Sequence, residues 1–174
     1  MRKLFLLRHA KASRDNPDLD DAERPLDERG RRAARRMAQF MAGAGIRPAL
    51  ALISTSTRTR ATWDIVETAM EGTSAAIENV LYLATRGEML DRLRKVDDHV
   101  GSVMLIGHNP GIERLAKTLV GHHGDAGALD RLAEKFPTCA LAEIDLDIDR
   151  WAELEDGCGR LERFVRPRDL DGGG

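Results

Sequence analysis

The chain has 174 residues, a length that suits one domain built around one core. It is 42% hydrophobic and 32% charged with a formal net charge of -2, which excludes a disordered chain and argues against a general nucleic-acid or membrane-surface binder. Aromatic residues are only 4%, too few for a base-stacking surface, and no apolar run reaches membrane-spanning length.

Arg2-Lys3 ahead of Leu4-Phe5-Leu6-Leu7 has the outline of a secretory leader, but the apolar part is too short and charge returns at Arg8. The two cysteines, Cys139 and Cys158, lack metal-ligand spacing and read as reduced thiols. Together these features give a cytoplasmic protein.

Leu4 to Leu7 is an unbroken apolar run, the pattern of a strand buried on both faces of a parallel sheet. It ends in Arg8-His9, so a guanidinium and an imidazole stand at its carboxyl end, where open α/β sheets place their ligands. Arg14 to Arg24 is a polar loop with Pro17 and five acids, among them Asp21. Asp27 suits an N-cap, and a helix follows to about Gly43 with Ala33, Met37, Phe40 and Met41 at helical spacing. Its other face carries Arg29, Arg31, Arg32, Arg35 and Arg36, a row read as solvated.

Ala49 to Ile53 is a second buried strand. It runs into a hydroxyl-rich turn, Ser54 to Arg60, with a helix starting near Thr59. Free N–H groups, hydroxyls such as that of Ser56, and the guanidiniums of Arg58 and Arg60 together suit an anion. A third strand is expected over Ile77 to Leu83. The capping box Thr85/Glu88 then opens a helix to about Val96. Val103 to Ile106 is a fourth strand, ending in Gly107-His108-Asn109-Pro110-Gly111. There Asn109 suits the N-cap and Pro110 the first turn of a helix that Gly121 closes.

His122-His123 has no third ligand at metal spacing. A short helix spans about Ala128 to Glu134. Cys139 to Leu146 and Leu161 to Val165 form a closing hairpin, with Trp151 to Leu154 extending one arm. The expected fold is α/β: a three-layer αβα sandwich with a mostly parallel central sheet and a C-terminal antiparallel hairpin. One domain covers residues 1–168, and 169–174 is a flexible tail.

Strands one, two and four thus deliver His9 with Arg8, Arg58 with Arg60, and His108 to one sheet edge. Converging guanidiniums suit a small tetrahedral dianion, above all phosphate. Positive neighbours keep an imidazole neutral, and a neutral imidazole can attack phosphorus. No carboxylate cluster for Mg²⁺ and no glycine-rich phosphate loop is present, so neither metal nor cofactor is expected.

Four ordered motifs carry a resemblance to the histidine phosphatase superfamily. LLRHAKA resembles its RHG signature, with Ala10 in place of the glycine. PLDERG, Pro25 to Gly30, resembles its PLTxxG helix start. STRTRA, Ser56 to Ala61, resembles SPxxRA with Thr57 in place of proline. IGHNPG resembles the segment of the second histidine. The short length, RHAKA, GHNPG and FPTCAL (Phe136 to Leu141) are most similar to the SixA-type phosphohistidine phosphatases.

The resemblance implies catalysis by His9, Arg8, Arg60 and His108, with Arg60 rather than Arg58 as the phosphate-pocket arginine. Arg58, Asn109 and Ser56 then assist in binding. It implies a phosphohistidine enzyme intermediate and, as partner, a phosphorylated protein such as a histidine phosphotransfer protein, or a small phosphorylated substrate. Larger members carry a general acid after the third strand. Here Leu81 to Thr85 has no carboxylate, and Glu88 belongs to the capping box. An imidazole leaving group needs such an acid far less than an alkoxide does. That favours phosphohistidine over a sugar phosphate. A small-molecule phosphatase, a mutase-like transferase and a non-catalytic phosphoprotein-binding module are the other readings.

Overall fold

The computed structural model describes residues 1–171. Its elements in chain order are β1 (Arg2–Arg8), α1 (Glu28–Ala44), β2 (Leu50–Ser54), α2 (Thr57–Val66), β3 (Ser74–Glu78) and α3 (Arg86–Leu93). They continue with β4 (Ser102–Gly107), α4 (Gly111–Val120), α5 (Ala126–Glu134), β5 (Leu141–Leu146) and β6 (Gly159–Val165). The six strands form one sheet in the order β3-β2-β4-β1-β5-β6. β1 to β4 are mutually parallel and β5 runs antiparallel to both β1 and β6.

Two buried layers cover the sheet, and the alternation within β1 separates them. Leu4 and Leu6 join the layer containing Met89, Leu93, Ile112, Leu119 and Leu132 from α3, α4 and α5. Phe5 and Leu7 join the opposite layer, with Met37 and Met41 of α1 and Trp63 and Val66 of α2. A strand with both faces covered has no polar face, which is why β1 reads as a continuous apolar run. The architecture is the three-layer αβα sandwich expected, with the β5–β6 hairpin packed on β1.

Register fixes the site. Arg8 is level with Gly107 and Leu7 with Ile106, while Ile53 is level with Ile106. Residues 8–9, 54 and 107–108 therefore leave the sheet in one row at its carboxyl edge.

Several local expectations are corrected. The third strand is Ser74–Glu78, not Ile77 to Leu83; residues Asn79–Leu81 form a 3-10 turn that buries Leu81. β3 lies at the sheet edge with Ser74, Ala75 and Ile77 exposed, so its apolar pattern is weak. α2 begins at Thr57, capped by Ser56, whose Oγ accepts from the Thr59 N–H at 3.3 Å. Pro110 rather than Asn109 holds the N-cap position of α4. Trp151–Glu153 is a 3-10 turn instead of an extended arm. The tail expected over 169–174 begins inside another 3-10 turn, Pro167–Leu170, and Arg36 of α1 pairs with Asp171; residues 172–174 lie outside the described residues. No helix among the described residues is long and apolar enough to cross a membrane.

Candidate active site

The row of strand ends opens into a depression of about 700 Å³ lined by Arg8, His9, Arg58, His108 and Asn109, with Lys11, Arg14, Arg24 and Lys135 around it. No carboxylate is among its lining residues in the described part of the chain. The ring centroids of His9 and His108 are 5.3 Å apart.

His9 is 8% exposed. Its Nδ1 lies 2.8 Å from the Ala10 carbonyl oxygen. A carbonyl only accepts, so Nδ1 carries the hydrogen and the neutral ring keeps its lone pair on Nε2. The backbone is held as tightly: His9 N–H donates to Gly107 O at 3.1 Å, and Ala10 N–H donates to Thr62 Oγ1 at 3.0 Å. Burial pushes the His9 pKa down to about 4; the Ala10 carbonyl opposes this, and Arg58, Arg8 and Arg24 add to it. His9 is therefore neutral at physiological pH.

His108 is 1% exposed. Its Nε2 lies 2.7 Å from Ser54 Oγ and its Nδ1 lies 3.4 Å from Arg58 Nη2. A guanidinium only donates, so Nδ1 faces Arg58 as an acceptor and Nε2–H donates to Ser54. A hydroxyl accepts or donates equally well, so Ser54 can support the other tautomer when an anion calls for an Nδ1–H donor. Burial, then His9 and Arg58, lower the His108 pKa to about 3, with Asp21 opposing.

Arg8 Nη1 donates to Phe136 O at 2.9 Å, while its Nε has no partner among the described residues. Burial lowers the Arg8 pKa, with Glu113 opposing and Arg58 adding to the shift. Asn109 lines the pocket. Its Nδ2 donates to Glu113 Oε2 and Phe136 O, leaving Oδ1 buried without a partner among the described residues.

Two expected site residues sit elsewhere. Arg60 is exposed and is not among the pocket's lining residues; Arg58, 4% exposed, is. The reason is helical geometry. Because Ser56 caps α2, positions 58, 59, 62, 63 and 66 face inward, and position 60 is turned about 200° from position 58. The motif is thus read from Ser54, two residues earlier than STRTRA suggests. Ser56 is buried as a cap, with its Oγ 2.7 Å from Thr59 Oγ1. The serine that meets a catalytic candidate is Ser54.

Asp21 was legible only as one acid among five. Its Oδ2 accepts from Arg58 Nη2 at 2.9 Å and from the Tyr82 hydroxyl at 2.6 Å. No signal in the sequence links these three positions. Glu88 is held in its capping box with Thr85 and does not line the pocket. His122 and His123 are exposed, and no group of three or more His, Cys, Asp or Glu among the described residues is placed to hold a metal.

Comparison with known proteins identifies the family and the fold. The histidine phosphatase superfamily (branch 1) profile matches residues 4–82. An uncharacterized protein of Mycobacterium tuberculosis is 35% identical over 167 residues, covering 93% of this chain and all of its own length. The structure of a SixA-named protein from Agrobacterium tumefaciens superposes with a TM-score of 0.81 at 31% identity, covering 95% of this chain and 98% of that one. The structure of the protein histidine phosphatase SixA complexed with tungstate shares the fold, with a TM-score of 0.77 at 24% identity over 97% and 99% of the two chains. The chain belongs to the histidine phosphatase superfamily.

Proposed function

We propose that the protein is a metal-independent phosphatase that removes phosphate from phosphohistidine in a protein, through a covalent phosphohistidine on His9. The observation that carries this reading is the His9 ring: Nδ1–H is fixed on the Ala10 carbonyl, so Nε2 is the free nucleophilic atom in a cationic pocket without a carboxylate.

Arg8 and Arg58 hold the non-bridging phosphate oxygens and offset the charge that builds on them. His9 Nε2 attacks phosphorus in line, the phosphorus–leaving-group bond breaks, and the departing nitrogen takes a proton. Water then attacks phospho-His9, releasing phosphate and restoring the neutral ring. His108, placed beside His9, donates to the transferring oxygens or carries the proton.

The preference for a phosphoramidate rests on what the stretch after β3 offers. Leu83 lines the pocket, and Tyr82 donates its hydroxyl to Asp21. Neither gives a proton readily at neutral pH. Ester cleavage then forgoes the roughly 100- to 10,000-fold that general acid catalysis supplies, whereas an imidazole leaves without it. The test is kcat/KM for a phosphohistidine-bearing protein beside glycerol and sugar phosphates. A clear preference for the phosphoprotein is expected; a preference for one ester would replace this reading with a small-molecule phosphatase.

A further inference from the structure

We infer that Asp21 is a positioning residue for this site: reaching in from the loop before α1, its carboxylate aims the Arg58 guanidinium into the phosphate pocket, and it serves as a permanent anion, not as a proton donor. The inference rests on the phosphatase reading above for its chemistry and on the following contacts for its geometry.

Arg58 is buried and has five N–H donors. Asp21 fixes two of its nitrogens, with its backbone oxygen 2.7 Å from Nη1 and Oδ2 2.9 Å from Nη2. This two-point grip on one edge sets the plane of the guanidinium. With the remaining Nη2 hydrogen facing His108 Nδ1 at 3.4 Å, Nε–H and the second Nη1–H are left for phosphate oxygens. The carboxylate is itself held from two further sides. Tyr82 OH donates to Oδ2 at 2.6 Å, and Arg24 Nη1 lies 3.3 Å from Oδ1. Tyr82 also packs edge-on against His108, with ring centroids 5.5 Å apart. A loop 37 residues before Arg58 and 61 before Tyr82 thereby joins the turn after β3 to the arginine of α2.

The same contacts exclude Asp21 as the missing general acid. The Tyr82 hydroxyl, and after it Arg58 and Arg24, hold its pKa at about 2. At neutral pH it has no proton to give, and protonating it would break three charge-assisted contacts. Asp21 also stands behind Arg58 and does not line the pocket. Its carboxylate grips Arg58 directly, and its charge also opposes the lowering of the His108 pKa.

The test is a double-mutant cycle with Asp21→Ala and Arg58→Lys, supported by Asp21→Asn and Asp21→Glu, assayed on phosphohistidine and on glycerol phosphate. Asp21→Ala is expected to lower kcat about 10- to 100-fold, as misaiming a catalytic group by about an ångström does. The loss should be equal on both substrates and constant from pH 5 to 9. Asp21→Glu should recover part of it. On the Arg58→Lys background the further loss should shrink to a few-fold, because the residue it aims is gone. A loss confined to the ester, with a shifted pH profile, would overturn the inference and make Asp21 an acid. Additive losses, or a lowered Tm with kcat unchanged, would overturn it too. Should the wild-type chain turn over neither substrate, the phosphatase reading fails, and tungstate affinity of the same four proteins still measures the Asp21–Arg58 coupling.

Discussion

Arg58 and Arg60 stand two residues apart in α2, and only Arg58, 4% exposed, lines the pocket that holds His9 and His108. Arg60 is exposed. A guanidinium aimed at developing charge in a water-poor site is worth far more than one in solvent. Arg58→Ala is therefore expected to lower kcat/KM on the order of 100- to 1000-fold. Arg60→Ala is expected to stay within a few-fold of wild type. Steady-state kinetics of the two single variants checks this, and equal losses would contradict the placement of Arg58.

Gly30 answers a steric demand made by the His9 loop. A Cβ at position 30 would overlap the Lys11 carbonyl oxygen and come within 2.9 Å of the Lys11 nitrogen. Asp27 N–H donates to that same carbonyl at 3.0 Å, so the loop cannot simply back away. Gly30→Ala should destabilise the fold by about 1–3 kcal/mol, the usual cost of overpacking a closed contact, and should lower kcat through the Ala10–Lys11 backbone. Urea unfolding with parallel kinetics separates the two effects. A variant of wild-type stability and activity would show that the loop yields freely.

The two histidines make stability depend on pH with a definite sign. Their folded pKa values, about 4 for His9 and about 3 for His108, lie below the unfolded value of 6.5. Between these limits the unfolded chain binds more protons, so stability rises with pH there. The contribution is fully present above about pH 6.5 and is lost as pH falls toward 3. Asp21, held at about 2 against 3.8, adds a further loss at the acid end. Urea titrations at pH 7, 6 and 5 should show the decline, and a His9→Gln/His108→Gln variant should flatten it. An equal slope in the double variant would mean the two imidazoles are not the cause.

Activity is expected to persist in EDTA. The pocket's lining residues bring cations and imidazoles but no carboxylate, and that donor set repels a divalent ion where arginines already offset the phosphate charge. Loss of turnover in EDTA, restored by Mg²⁺ or Zn²⁺, would contradict this.

Legibility in the sequence followed burial and range. β1 and β4 are apolar through their buried centres, Leu4 to Leu7 and Val103 to Ile106, because both faces are covered, and the polar residues that follow announce Arg8, His9 and His108. β3 was misplaced because an edge strand with exposed residues has no such signature, while the buried Leu81 of the following turn imitates one. Four consecutive hydroxyl residues, Ser54 to Thr57, hide which one caps α2, and a shift of two positions exchanges Arg58 for Arg60. Asp21 and Tyr82 were invisible for a different reason. Their meaning comes from a contact 61 residues apart in the chain, and no local pattern encodes it.

The proposed mechanism turns on His9 Nε2 as the atom that takes the phosphoryl group. Brief reaction with ³²P-labelled phosphohistidine protein, followed by an alkaline quench and peptide mapping, tests it directly. An acid-labile, base-stable label is expected on the peptide carrying His9, increased by His108→Ala where that change slows hydrolysis, and absent from His9→Ala. Label of the same stability retained by the His9→Ala protein, or turnover by that protein at the wild-type rate, would contradict it.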